Sequence, residues 1–132
     1  FGAARKALLG DGQLRQRAEV VAGDIDAALK ALETEAAPAG HITFHLHWLN
    51  ALFRGLKTET AMREAAEGFW AKLTRFHDLG GRLVWTLHNS LTHDSAFPEI
   101  EIDLSKRIVA LADAVHAAGQ RRQVCVCRAA AR

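Results

Sequence analysis

The chain has 132 residues, 49% of them hydrophobic and 24% charged, which is ordinary for one globular domain and excludes the disordered and fibrous classes. Its 17 basic and 15 acidic residues are interspersed, so the net charge of +2 indicates no nucleic-acid partner and requires no membrane surface. There is no apolar run of membrane-spanning length and no recognisable signal peptide. The two cysteines, Cys125 and Cys127, are too close together for an ordinary disulfide framework, which fits a reducing compartment. We therefore expect a cytoplasmic protein, and peripheral membrane association through parts outside this sequence stays open.

The first two predicted elements are a helix and a strand. Residues 13–35 are rich in Ala, Leu, Arg and Glu, and apolar residues recur at steps of three and four, which predicts a helix. Asp24 is a candidate N-cap for its second part. Residues 41–48 then alternate apolar with polar side chains, which predicts a strand with His45 and His47 on one face.

A short helix or turn and then a long helix are predicted next. Residues 49–56 are apolar up to Gly55, and residues 58–79 carry one apolar stripe with charged residues opposite. The stripe consists of Met62, Ala65, Ala66, Phe69, Leu73 and Phe76. Gly80 and Gly81 mark the end of this helix. Trp70 and the stripe aromatics are expected to pack in the core.

The chain is organised around residues 82–94. The apolar run over 83–87, which contains Trp85, predicts a strand buried on both faces. It stops abruptly at His88 and Asn89, and other polar residues follow as far as Asp94. In parallel α/β sheets, ligands bind beyond the carboxyl ends of the strands. Imidazoles at this position are therefore the first candidates for chemistry.

Pro98 predicts the start of another helix, because proline favours the first helical position. The acids Glu99, Glu101 and Asp103 are expected to be a solvated first turn that complements the helix dipole. Its core stripe would be Leu104, Ile108, Leu111 and Val115, although residues 114–117 could instead begin a third strand.

Strands alternating with helices predict an α/β fold, a Rossmann-like parallel sheet flanked by helices with right-handed crossovers. We assign residues 1–119 to this domain, without its first strand. Residues 120–132 show no clear helical or strand period beyond the alternation of Val124 and Val126. We interpret them as an irregular tail, either disordered or translated out of frame after about Ala117.

Three blocks in order carry a family resemblance: HLHWL at 45–49, VWTLHN at 84–89 followed by His93, and ALADAVH at 110–116. In these blocks the chain resembles the N-terminal, acceptor-side half of a bacterial GT-B glycosyltransferase. The resemblance implies two Rossmann-like domains facing each other across a cleft. The expected first strand with its glycine-rich loop and the donor domain are missing, so we expect no sugar transfer by this chain alone.

The resemblance implies transfer of a hexose from a nucleotide-diphosphate sugar, bound by the missing C-terminal domain, to a saccharide or lipid-linked acceptor. No metal is obligatory, and no cofactor is expected beyond the donor substrate. His88 would accept the hydroxyl proton or orient the sugar, and His93 would assist it. The other expected substrate-binding residues are His47, Trp48, Asn89 and Asp94.

Two alternatives to a transferase stay open. His45 and His47 share a strand face, and a His-x-His pair can begin the metal site of a metal-dependent hydrolase. The chain could also be a non-catalytic Rossmann-like binding module. In that case His88 would cap its strand, and residues 89–94 would be an ordinary polar loop.

Overall fold

The computed structural model describes residues 22–34, 42–88, 94–117 and 125–127. The helices in this part are α1 (Ile25–Thr34), α2 (Asn50–Phe53), α3 (Glu59–Asp78) and α4 (Pro98–Leu111). The strands are β1 (Thr43–Leu46), β2 (Arg82–Leu87), β3 (Ala114–Ala117) and β4 (Cys125–Cys127). They form one sheet in the order β1-β2-β3-β4. The first three strands are parallel, and β4 runs antiparallel to β3.

The predicted α/β class is confirmed, with three parallel strands flanked by helices. The third strand left open as an alternative is present at 114–117. Part of the tail predicted to be irregular, Cys125–Cys127, forms β4 by pairing with the edge of β3. The rest of residues 120–132 and residues 13–21 lie outside the described part, so the out-of-frame interpretation stays a prediction.

Local signals in the sequence account for the helix ends. Asp24 Oδ1 accepts a hydrogen bond of 2.9 Å from the Ala27 N–H, so it caps α1 as predicted. Thr58 Oγ1 accepts a bond of 3.2 Å from the Ala61 N–H at the start of α3. Gly80 follows α3 with φ of 95°, a left-handed conformation that glycine adopts without a steric penalty.

The core lies between one face of the sheet and the helices. The parallel strands follow one another in consecutive order and α3 contacts α4, so these two helices lie on the same side of the sheet. All four described helices contribute to a single cluster with the strands. Its buried members are Ile25, Leu29, Leu46, Phe53, Met62, Ala66, Leu73, Phe76, Leu83, Trp85, Ile100, Leu104, Ile108 and Ala112.

The prediction that β2 is buried on both faces is wrong. Leu83 and Trp85 are buried on the helix side, whereas Val84 and Thr86 are only partly buried. The described helices all join the core on one side, so the alternate residues of β2 point away from that core. This second face of the sheet carries the polar residues described below.

Glu101 is also not part of a solvated first turn. Its side chain is only 4% exposed. Residues 101, 104 and 108 lie at steps of three and four, so Glu101 shares the core-facing stripe of α4 with Leu104 and Ile108. Tertiary packing therefore overrides the preference of an acidic residue for solvent.

Asp113 joins the turn before β3 to the beginning of β2. Its backbone N–H donates to the Leu83 carbonyl at 2.8 Å, and its Oδ2 accepts from the Leu83 N–H at 2.9 Å. The carboxylate thus adds one hydrogen bond to the ladder between β2 and β3, at a position where the next strand residue would otherwise accept it.

An ion pair connects the two long helices. Arg107 of α4 pairs with Glu67 of α3 at 2.8 Å, and its guanidinium lies over the Trp70 ring.

Within the described ranges, no helix is both long and apolar enough to cross a membrane.

Candidate functional site

The second face of the sheet carries histidines from neighbouring strands. His45 of β1 is opposite Val84 of β2, and Thr86 of β2 is opposite His116 of β3. Partners in a parallel register point to the same side, and side chains alternate along each strand. His45, Thr86 and His116 therefore share one face. With His47 and His88, which follow the ends of β1 and β2, they form what we call the histidine face.

Aromatic rings form a continuous row across this face. The rings of His45 and His47 are 4.1 Å apart between centroids, and those of His47 and His88 are 5.4 Å apart. The Trp48 indole stacks on His88 at 4.2 Å with an interplanar angle of 12°. Trp48 is 51% exposed, so the row ends in an indole that is accessible from solvent.

Hydrogen bonds fix the orientation of three of the imidazoles. His45 Nε2 is 2.7 Å from Thr86 Oγ1, and His47 Nδ1 is 3.1 Å from His88 Nε2. In the His47–His88 bond one ring nitrogen donates its N–H and the other accepts. A proton on the accepting nitrogen would break the bond, so this imidazole pair holds at most one positive charge while it stays intact.

The surroundings favour the neutral form of two of these rings. Burial lowers the pKa of His45, and the neighbouring His47 and His116 lower it further. Burial also lowers the pKa of His47, with a further contribution from His88. His45 and His47 are therefore neutral at neutral pH. Neutral imidazoles can accept a proton from a substrate hydroxyl.

The lowered pKa values predict a loss of stability in acid. In the unfolded chain His45 and His47 bind protons near pH ~6.5, whereas in the folded chain they bind them only at lower pH. The stabilisation is complete above the unfolded pKa and is lost as pH falls from about 7 towards the folded pKa. Denaturant unfolding between about pH 7.5 and pH 5 should show this slope. It should be shallower in a His45→Gln, His47→Gln double variant, and equal slopes would contradict the assignment.

The structure brings together three of the six predicted site residues. His47, Trp48 and His88 are in mutual contact at the carboxyl edge of the sheet. Asp94 is exposed in the turn before α4. The predictions for Asn89 and His93 concern residues outside the described part, so they stay predictions.

Thr86 and His116 are members of the face that sequence reasoning did not single out. Thr86 lies two residues before His88, so strand periodicity already placed both on one side of β2. His116 lies in the block 110–116, but its position beside Thr86 depends on the pairing of β2 with β3. Only the alternative prediction of a third strand over residues 114–117 could therefore have indicated that His116 belongs to the histidine face.

The metal alternative finds no complete ligand set in this part of the chain. His45 and His47 share a face, as predicted, and His88 joins them. Among residues 22–34, 42–88, 94–117 and 125–127, no group of three or more His, Cys, Asp or Glu residues could hold a metal ion. A zinc site normally has at least three protein ligands. The hydrolase interpretation thus gains no support from the described residues.

Comparison of the chain with protein-family models, curated proteins and solved structures finds no match in any of the three.

Proposed function

We propose that this chain is the acceptor-side half of a GT-B glycosyltransferase and that the Trp48 end of the histidine face receives a saccharide. The intact enzyme would transfer a hexose from a nucleotide-diphosphate sugar to a saccharide or lipid-linked acceptor. One observation supports this most directly: the exposed Trp48 indole stacks on His88 beyond the carboxyl ends of parallel strands.

The chemistry of these groups suits a sugar. An exposed indole offers a flat apolar surface to the C–H face of a pyranose ring, and its position is held by the stacked imidazole. Sugar hydroxyls at the ring edge could then hydrogen-bond to the imidazoles. A planar stacking surface beside proton acceptors is the arrangement that an acceptor site needs.

The proton transfer is assigned to the His47–His88 pair. Attack by an acceptor hydroxyl on the anomeric carbon of the donor sugar would form the glycosidic bond, break the bond to the phosphate oxygen and release the nucleoside diphosphate. The step requires removal of the hydroxyl proton, and a neutral imidazole is a suitable base near neutral pH. His88 would take the proton while its Nε2 keeps the bond to His47 Nδ1. His47 is then a positioning residue, since it orients the His88 ring. Asn89, His93 and Asp94 would complete the substrate contacts.

We expect Trp48→Ala to weaken saccharide binding about tenfold or more, because the stacking surface is lost. The probes are methyl glucoside and methyl mannoside, with binding followed by NMR line broadening of the sugar signals. Leu79→Ala is the matched control. Leu79 is also an exposed apolar residue, at 43% exposure, but it follows α3 and precedes β2, at the opposite end of the strands from Trp48.

The control variant should bind like the parent protein. Unchanged affinity in Trp48→Ala, or failure of the folded parent to bind any of the glycosides, would contradict the proposed function. In the intact enzyme, His88→Gln should leave sugar binding in place and lower the rate of transfer. Normal sugar binding with slow transfer would identify His88 as the base, whereas loss of a binding contact would weaken sugar binding itself.

A further inference from the structure

We infer that the acceptor carries a phosphate group and that the histidine face binds this phosphate beside the sugar ring stacked on Trp48. The inference rests on the proposed function for the sugar and adds a second ligand group of different chemistry. Its ligand class is a phosphorylated saccharide, either a soluble sugar phosphate or a sugar linked to a lipid through phosphate.

The first argument is the composition of the face. Four imidazoles converge from β1, the end of β2 and β3, and Thr86 contributes a hydroxyl between them. Within the described residues, His45, His88 and His116 form no ion pair with a carboxylate, whereas His77 Nε2 lies 4.0 Å from Asp113 Oδ1. A surface with several potential cations, whose three rings have no acidic partner among the described residues, is suited to an anion.

The second argument is the supply of hydrogen-bond donors. Nε2 of His45 bonds to Thr86, and Nε2 of His88 bonds to His47. The other ring nitrogen, Nδ1, of His45 and of His88 makes no hydrogen bond to another described residue. A protonated imidazole donates from both nitrogens, so each ring can keep its present bond and donate its second N–H to a phosphate oxygen.

The third argument is electrostatic coupling. The titratable groups that face one another are His45 and His47 from β1, His88 after β2 and His116 from β3. Without a ligand, burial and the neighbouring imidazoles lower the pKa of His45 and of His47. A phosphate dianion would offset both effects, whereas an uncharged sugar would offset neither. Phosphate binding should therefore take up protons and become tighter as pH falls.

The position of Trp48 connects the two ligand groups. His88 contacts both the Trp48 indole and His47, so the stacking surface and the imidazole row meet at one residue. His88 covers one face of the indole, so a sugar would lie on the opposite face, and its phosphate substituent would reach His88 and its neighbours past the edge of the indole. A divalent cation is a poorer occupant, since no group of three metal-ligating residues is present among those described.

The test compares glucose 1-phosphate, glucose and inorganic phosphate as calorimetric probes at about pH 6 and about pH 7.5, on either side of the ordinary histidine pKa. We expect glucose 1-phosphate to bind at least about tenfold more tightly than glucose and more tightly at the lower pH. Repeating the glucose 1-phosphate titration at about pH 7.5, where the ligand is already a dianion, in two buffers of different ionisation heat should show net proton uptake by the unmodified protein.

Substitutions test whether the gain in affinity from the phosphate depends on the histidine face. His45→Gln and His116→Gln each should reduce the phosphate-dependent gain, and His88→Gln should abolish most of it. His77→Gln is the matched control, because His77 lies at the end of α3, away from this face. If a variant fails to fold, the proton uptake of the unmodified protein still decides the question. Equal affinity for glucose and glucose 1-phosphate, or a gain that survives all three changes, would overturn the inference.

A vesicle experiment separates the two phosphate sources. The first readout is whether the protein sediments with phosphatidylcholine vesicles that contain phosphatidic acid but not with pure phosphatidylcholine vesicles. If His88→Gln abolishes this sedimentation, the phosphate is carried by a lipid. Binding of glucose 1-phosphate without vesicle binding would indicate a soluble phosphorylated sugar. Vesicle binding that is unchanged in His88→Gln would count against the site.

The failures of the two proposals are distinguishable. Trp48-dependent binding of glucosides without any gain from phosphate would leave the acceptor function standing and remove the phosphate inference. Histidine-dependent phosphate binding without Trp48-dependent sugar binding would leave an anion site and remove the acceptor function.

Discussion

Replacing Gly81 with alanine is expected to lower the free energy of unfolding by about 1–3 kcal/mol, the usual cost of overpacking a core. A Cβ atom at this position would lie within 2.7 Å of three carbons of the Phe76 ring. Phe76 is completely buried, so its ring has little room to move away. Urea-induced unfolding, followed by far-UV circular dichroism, measures the effect.

Gly68→Ala is the control for this change. Gly68 lies inside α3, where an added Cβ would meet no atom within 4 Å apart from the backbone of its own helix and its two chain neighbours. Alanine is favoured over glycine in a helix interior, so this variant should be more stable by about 0.5–1 kcal/mol. The two glycine replacements should thus act in opposite directions. A Gly81→Ala protein as stable as its parent would show that the contact with Phe76 does not restrict the site.

Asp113→Ala is the second change with a large expected effect, a loss of about 1–3 kcal/mol. It would leave the Leu83 N–H without its side-chain acceptor, Asp113 Oδ2. Leu83 is completely buried, so water cannot readily replace that acceptor. The backbone bond from the Asp113 N–H to the Leu83 carbonyl would remain.

The measurement is again denaturant unfolding, with two controls. Asp113→Asn keeps an oxygen in the same position and should recover most of the stability. Asp103→Ala removes an exposed partner of Arg107, and exposed ion pairs contribute only about 0–1 kcal/mol. If Asp113→Asn were as destabilised as Asp113→Ala, the charge would matter and not the hydrogen bond to Leu83.

Gly81 and Asp113 lie at the amino ends of the strands, and the candidate site lies at their carboxyl ends. Gly81 and Asp113 precede β2 and β3, whereas His47, Trp48 and His88 follow the ends of β1 and β2. The scaffold variants should therefore alter stability while binding to the folded protein is kept. This separation allows a binding defect in Trp48→Ala or His88→Gln to be assigned to the site.

Much of the local structure could be predicted from the sequence. The helix signals at Asp24, Gly80 and Pro98 act through neighbouring backbone groups, so a few residues are enough to define each end. The alternation over 41–48 placed His45 and His47 on one face of a strand for the same reason. The parallel sheet followed from the alternation of strands and helices.

Only the tertiary structure decided how these elements meet. The burial of Glu101, the one-sided packing of β2 and the pairing of β4 with β3 depend on contacts between distant parts of the chain. The same holds for the histidine face: the 3.1 Å contact of His47 with His88 and the place of His116 beside Thr86 require the register of three strands. Sequence periodicity determines the side of an element on which a residue lies, because that is local geometry. Its neighbour across the sheet is determined by packing and strand register, which no local pattern contains.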